Sequence, residues 1–203
     1  DFAINSHQKA NIANTNNHFY DEITKINSND ITVEKDGTIR ANTSHETLNN
    51  LKLVFDKNGT ITAGTASPLT DGAAATLVCS ETYAKKNDLN ILAKIISTSV
   101  QGCPPELMGL GPIEASKKAL KRANLSINDI DIVELNEAFA SQSLACIKDL
   151  NINPEIVNID GGAIALGHPL GATGVRITAK AAQLLKRENK QYALATQCIG
   201  LGQ

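Results

Sequence analysis

Residues 161–176 read Gly-Gly-Ala-Ile-Ala-Leu-Gly-His-Pro-Leu-Gly-Ala-Thr-Gly-Val-Arg, an unusually glycine-rich run. Glycine lets the backbone approach other backbone or a ligand closely. His168 stands between Gly167 and Pro169, just before a predicted helix, so a titratable ring sits on a constrained turn. An isolated histidine usually satisfies only a local hydrogen bond, but these surroundings favour catalysis. No lysine follows the last two glycines, so the run is not a Walker phosphate loop.

Apolar runs alternate with helical patterns along the chain. Strands are predicted at 72–79, 91–100, 131–135, 156–159 and 192–198, and helices at 81–88, 113–123, 137–150 and 174–187. Strands that alternate with helices indicate an α/β layered fold. Residues 1–30 predict a helix that Ser6 could cap, followed by a loop. Residues 53–63 predict either a hairpin or a loop with two short extended arms.

Composition excludes several classes of function. The formal net charge of -2 gives no electrostatic case for a nucleic acid or membrane partner. No Cys-x-x-Cys pair occurs and no histidine pair lies near a cysteine, so we expect reduced thiols, with neither a metal site such as zinc nor a disulfide framework. No signal peptide is apparent at the start, and we expect a cytoplasmic protein. The cysteines are Cys79, Cys103, Cys146 and Cys198.

Two other segments carry chemistry. Residues 196–203 place Cys198 after an apolar strand and before Gly200, at the kind of strand-to-loop edge that often exposes reacting groups. The glycines free backbone N–H groups to form an oxyanion hole, although a lone cysteine is more often inert and buried. Residues 134–140 place Asn136 between a strand and a helix. There it could be a simple N-cap, or its side chain could hold a water.

Taken together, the segments 136–140, 161–176 and 198–202 resemble the signature set of thiolases, in the family's order. The segments 66–75, 108–112 and 6–10 extend the resemblance over essentially the whole chain. It implies a thiolase-like layered α/β fold and acyl transfer between coenzyme A thioesters. Within the family, the segments 111–113, 148–150 and 159–163 are most similar to acetoacetyl-CoA thiolases, with acetyl-CoA, acetoacetyl-CoA and CoA as substrates and no cofactor. A 3-ketoacyl-CoA thiolase of fatty-acid degradation is the alternative.

The resemblance implies a role for each matching residue. His168 would activate a nucleophilic cysteine and help to bind the thioester oxygen, where Asn136 would hold a water. Cys198 would exchange a proton with the acetyl-CoA methyl carbon, next to a second oxyanion hole that includes the Gly200 N–H. Three further residues would contact CoA, namely Ser67 near the pantetheine, Arg40 near the nucleotide, and Phe139.

The chain resembles only the C-terminal part of a thiolase, and no cysteine here stands in the nucleophile motif. We expect the end of the CoA-binding loop domain at 1–69. A strand and helix of the N-terminal half follow at 70–90, and a C-terminal domain, truncated at its end, at 91–203. The chain alone would be inactive. An N-terminal half would be its partner if that half is separately encoded, the alternative being a segment lost in a decayed gene. The complete enzyme would be a homo-oligomer. A non-catalytic CoA- or lipid-binding remnant is the competing hypothesis.

Overall fold

The computed structural model describes all 203 residues and contains helices on both sides of a short parallel sheet. The helices are α1 (Phe2–Thr15), α2 (His45–Asn49), α3 (Glu81–Lys86), α4 (Gly111–Ala123), α5 (Ala140–Asp149), α6 (Ala163–Leu166) and α7 (Leu170–Arg187). The strands are β1 (Ile26–Ser28), β2 (Ile31–Val33), β3 (Ile132–Leu135) and β4 (Ala193–Thr196). Short 3-10 turns occupy Pro105–Leu110, Ile127–Asp129 and Pro154–Ile156.

The central layer is the parallel pair β3 and β4, in register from Ile132 opposite Ala193 to Leu135 opposite Thr196. Val157 adds one parallel bridge to Val133 on the other side of β3. The predicted strand at 156–159 is therefore reduced to that bridge. A 3-10 turn precedes it, and the backbone turns away immediately after it, at Asn158.

Helices cover both faces of this layer, as the α/β pattern predicts. Successive strand residues point to opposite faces. Val133 and Leu135 pack in the main core with residues of α4 and α5, while α7 packs on both β3 and β4. The layered α/β architecture is confirmed. The structure has no helix long and apolar enough to cross a membrane.

A second, smaller core joins the start of the chain to the glycine-rich segment. Ala10 and Ala13 of α1 pack with Phe19 and with two residues of α6, Ala165 and Leu166. The approach is close because Gly161 has a φ of +84°, and a Cβ there would lie 2.6 Å from that of Ala10. Helix α1 therefore fixes the loop that leads to His168.

Three predicted features at element starts were wrong. Ser6 lies inside α1 and donates its hydroxyl to Glu137, so it is not a cap. Helix α5 begins at Ala140 and not at 137, because residue 139 is extended and bridges to Ala66. Helix α7 begins four residues earlier than predicted, directly after Pro169.

The predicted strands at 72–79 and 91–100 are not formed. Both segments carry exposed apolar side chains, with Leu77 71% and Val100 62% exposed. The second segment is nevertheless fixed to α4, since the Ser97 and Ser99 hydroxyls donate to the carbonyls of Ala119 and Ala115. Neither segment has a strand beside it in this chain, so their apolar composition is not matched by a ladder.

The polar N-terminal region holds an unpredicted hairpin. Strands β1 and β2 pair in antiparallel register around Asn29, whose φ is +52°. The segment 53–63 forms one antiparallel bridge, Leu53 to Thr62. It is the loop with two extended arms, one of the two predicted alternatives.

Candidate active site

His168 lies at the start of α7 and is fixed by two threonines. Its backbone N–H donates to the Thr70 hydroxyl over 3.1 Å. Its ring Nδ1 lies 2.7 Å from the Thr173 hydroxyl. Gly167 before it has a φ of +90°, and a Cβ there would collide with the Thr70 side chain. The loop is therefore shaped around this histidine.

Asn136 is next to the histidine, as the family resemblance implies. Its side-chain Nδ2 lies 3.5 Å from His168 Nε2. It is not an N-cap, because α5 begins four residues later. It is 1% exposed, and its Oδ1 has no hydrogen-bond partner in the chain. A buried amide oxygen without a partner is able to accept a hydrogen bond from a water or a substrate.

Cys198 lies at the same edge of the sheet as Asn136. The Asn136 N–H donates to Thr196 O over 3.0 Å, at the end of β4 and two residues before the cysteine. Carboxyl ends of parallel strands meet at one edge, where open α/β sheets commonly bind ligands. Burial raises the pKa of the Cys198 thiol, and nearby Cys103 acts in the same direction. The thiol is therefore protonated at neutral pH.

The turn after Cys198 holds Gly200 in the open. Gly200 is exposed and its N–H makes no hydrogen bond within the chain. The turn is anchored beyond it, where Gly202 O accepts the Cys103 N–H over 2.8 Å. A free, positioned N–H group is what an oxyanion hole requires.

The three residues expected to contact CoA fall into two places. Ser67 donates its N–H to Ala138 O, and Phe139 bridges to the preceding residue, so these two are neighbours. The Phe139 ring packs edge-on against Phe55, with centroids 6.1 Å apart. Arg40 is exposed and lies beside α1, where its backbone N–H donates to His7 Nδ1 over 3.1 Å.

Glu137 is a buried support beneath the site. Its carboxylate accepts hydrogen bonds from the Ser6 hydroxyl (2.6 Å), the Asn158 amide (2.8 Å) and the Ile164 N–H (3.0 Å). A Cβ on Gly162 would collide with this carboxyl group. Burial raises the pKa of Glu137, and these hydrogen bonds oppose the rise. Glu137 thus joins α1 and α6 to the segment that carries Asn136.

Charges behind the site set its electrostatics. Burial lowers the pKa of His168, and the positive charge of Arg176 lowers it further, so the ring is neutral at pH 7. Glu134 is 1% exposed, and burial raises its pKa to about 8 although Arg176 and Lys180 oppose the rise. A neutral imidazole beside an amide donor is suited to accept a proton.

The sequence did not reveal the residues that support the site. Thr70 is 98 residues from His168, and Ser6 is 131 residues from Glu137. Such pairs leave no local pattern. Thr173 lies five residues after the histidine, in the first turn of α7, and that placement was the only available signal.

Sequence comparison matches residues 1–82 to the family "Thiolase, N-terminal domain" and residues 89–203 to "Thiolase, C-terminal domain". The chain belongs to the thiolase family. A 3-ketoacyl-CoA thiolase of Shewanella loihica is 50% identical over 212 residues, which cover 100% of this chain and 55% of that protein. One of Vibrio vulnificus is 49% identical, with the same coverage. The chain spans about half the length of these curated relatives.

Solved thiolase structures have the same fold. Human mitochondrial 3-ketoacyl-CoA thiolase in complex with CoA superposes with a TM-score of 0.92 at 42% identity, over 99% of this chain and 51% of that one. Acetyl-CoA acetyltransferase of Bacillus anthracis superposes with a TM-score of 0.94 at 41% identity, over 98% and 52%. The thiolase-like fold is confirmed. The prediction of an acetoacetyl-CoA thiolase is not confirmed, because the relatives near 50% identity are named 3-ketoacyl-CoA thiolases.

Proposed function

We propose that these residues form the acid–base half of a 3-ketoacyl-CoA thiolase. The observation that carries the proposal is the neutral His168 ring, whose Nε2 faces Asn136 at the sheet edge where Cys198 follows β4. The reaction would be thiolysis of a 3-ketoacyl-CoA by CoA, or the reverse condensation. The relatives' names favour this class over a dedicated acetoacetyl-CoA enzyme.

The proposed mechanism divides the work between two groups. His168 Nε2 takes the proton of a nucleophilic cysteine supplied from outside these 203 residues, and the thiolate adds to the 3-keto carbonyl. The C2–C3 bond then breaks, leaving an acyl-enzyme and the enolate of acetyl-CoA. Cys198 gives its proton to that enolate carbon and releases acetyl-CoA. The Cys198 thiolate next takes the proton of CoA, whose sulfur takes the acyl group, and the released cysteine thiolate takes back the proton held by His168. General acid–base groups of this kind contribute ~10²–10⁴-fold each.

Two oxyanion sites would stabilise the developing charges. Asn136, through a water, and His168 would hold the thioester oxygen of the enolate, and the unused Asn136 Oδ1 supports a bound water there. The free Gly200 N–H would help to hold the oxygen of the acyl intermediate.

Ser67 and Phe139 would line the pantetheine end of CoA, and Arg40 would line the nucleotide end. The loop, strand–helix and C-terminal segments at 1–69, 70–90 and 91–203 remain our proposed division.

The test co-expresses this chain with the N-terminal segment of the Shewanella loihica relative. Labelled acyl transfer to protein is measured beside exchange of the acetyl-CoA methyl protons with deuterated water. We expect His168→Ala to depress acylation, and Cys198→Ala to spare acylation while blocking proton exchange. The control is Glu155→Gln, an exposed carboxyl in the 3-10 turn Pro154–Ile156, which should change neither.

Two results would contradict the proposal. Cys198→Ala abolishing acylation as fully as His168→Ala, with proton exchange intact, would remove the role given to Cys198. Binding of CoA without any acyl transfer in the complemented wild type would favour a non-catalytic CoA-binding protein. The chain alone should show no turnover and no acylated cysteine by mass analysis.

A further inference from the structure

Of the two ring nitrogens of His168, the proposed base, Thr173 contacts Nδ1. The Thr173 side chain is fully buried, and its hydroxyl lies 2.7 Å from His168 Nδ1 and 3.0 Å from the carbonyl oxygen of Pro169. The ring therefore presents Nδ1 to the interior and Nε2 to Asn136. Hydrogen positions on a histidine follow from its hydrogen-bond network.

Two hydrogen arrangements satisfy the Nδ1 contact. In one, Nδ1–H donates to Thr173, whose own proton goes to Pro169 O. In the other, the Thr173 hydroxyl donates to a bare Nδ1, and the ring proton must then sit on Nε2. The first arrangement uses the Pro169 acceptor at 3.0 Å and leaves Nε2 free to accept from the Asn136 amide. The Asn136 side chain has its Nδ2 toward the ring, so the second arrangement would place two donors, Nε2–H and the Asn136 amide, against each other.

We infer that Thr173 is a positioning residue that fixes His168 as the Nδ1–H tautomer, so that the base faces the site through Nε2. The inference rests on the proposed function for its catalytic consequence. The tautomer itself can be measured without any activity, because it depends on the contact between His168 Nδ1 and the Thr173 hydroxyl. A proton on Nε2 would leave the histidine unable to accept one from a substrate-side group.

His7 provides an internal control in the same molecule. Its Nδ1 accepts the Arg40 N–H over 3.1 Å, so the neutral ring must carry its proton on Nε2. The buried His7 and the half-buried His168 are thus predicted to have opposite tautomers. Burial lowers the pKa of both rings, with a further push from an arginine in each case, so both are neutral at pH 8.

The experiment is a two-bond ¹⁵N–¹H correlation spectrum of the ¹⁵N-histidine-labelled chain at pH 8, with resonances assigned from His168→Gln and His7→Gln. We expect His168 as Nδ1–H and His7 as Nε2–H. In Thr173→Val, which keeps the side-chain shape, His168 should relax to a tautomer mixture. In Thr173→Ser, which keeps the hydroxyl, it should stay as Nδ1–H. His7 should not change in either variant.

Activity separates this inference from the proposed function. In the complemented protein, Thr173→Val should lower acylation several-fold, in proportion to the fraction of His168 that leaves the Nδ1–H form, with Thr173→Ser close to wild type. Three results would overturn the inference. In the wild type, they are His168 as the Nε2–H tautomer, or the tautomer mixture of free histidine in solution. In Thr173→Val, it is a tautomer that does not change. The expected tautomers together with full acylation in His168→Ala would leave the inference standing and remove the proposed function.

Discussion

Burial is the largest cause of the pKa shifts of His168, Cys198 and Glu134, and it favours the uncharged form of each. A neutral imidazole is a base and a neutral thiol is an acid, so the same physical cause prepares two side chains for opposite halves of a proton transfer. Glu134 has no such part in the proposed mechanism. Its raised pKa is therefore a property of the fold that stability measurements can test.

Glu134→Gln should change the pH dependence of stability. A carboxyl whose folded pKa is raised from 4.5 to about 8 binds its proton more tightly when folded. The wild type therefore loses stability as pH rises from 4.5 to about 8, on the order of 1.4 kcal/mol per pH unit. The glutamine cannot ionise, so its curve should be flatter and should lie above the wild type at pH 8.

The measurement is urea unfolding between pH 4.5 and 8.5, with both proteins at each pH. The control is Glu155→Gln. Glu155 is an exposed carboxyl in the short turn before Val157. That variant should follow the wild-type curve in parallel. A wild-type stability that stays level through this range would show that Glu134 is ionised in the folded protein, held by Arg176 and Lys180.

At the scale of elements, helix α7 is anchored at its C-terminal half by Asp160. The carboxylate accepts both ends of the Arg187 guanidinium, at 2.6 and 2.9 Å, and contacts Lys180 Nζ at 2.6 Å. Burial alone would raise the pKa of Asp160, but these hydrogen bonds outweigh it and hold the pKa at about 2. The depressed value contributes stability above pH 3.8, which is lost as pH falls toward about 2.

Asp160→Asn should destabilise the fold by about 3–5 kcal/mol, because it leaves the buried Lys180 with one carboxylate partner fewer. Its stability should also fall less steeply than that of the wild type between pH 4 and pH 2. Glu114→Gln, which removes an exposed pair with Lys117, is the control and should cost less than about 1 kcal/mol. Equal losses from both variants would contradict the anchoring role.

The sequence predicted those elements whose hydrophobic pattern is complete within the element itself. Strands β3 and β4 were predicted from their largely apolar residues, and the structure buries most of these residues. The run at 72–79 is also largely apolar but forms no ladder, because composition indicates that a strand needs neighbours and not whether they are present. His168, Asn136 and Cys198 were predicted by motif. Thr70 and Ser6 were not, since their contacts depend on the tertiary fold alone.

At the scale of the whole molecule, the unpaired segments should govern solution behaviour. Residues 72–79 lie exposed, with Leu77 71% and Val78 70% accessible, and an uncovered apolar edge invites pairing with another chain. We expect the chain alone to associate with rising concentration, and its amides at 73–79 to exchange rapidly with deuterium. Adding the N-terminal segment of a relative should protect those amides.

Leu77→Lys should reduce this association in sedimentation velocity, because a charge on an exposed edge opposes strand pairing. Leu144→Lys is the matched control, since Leu144 is also exposed, at 51%, but lies on the surface of α5. Its effect should be smaller. Comparable reductions from both variants would assign the association to general surface hydrophobicity.

Helix α7 holds its functional contacts at a constant interval. Thr173, Lys180 and Arg187 are each seven residues apart, so they share one side of the helix from the His168 contact to the Asp160 anchor. At 3.6 residues per turn, one inserted residue rotates everything after it by about 100°. The interval is therefore a phase constraint. An insertion between Thr173 and Lys180 would turn both basic side chains away from Asp160, whereas seven inserted residues would nearly restore their direction but move them about 10 Å along the axis. The number of residues between Thr173 and Arg187 is thus fixed by two contacts that must form together. One is the contact of Thr173 with His168, and the other is the contact of Lys180 and Arg187 with Asp160.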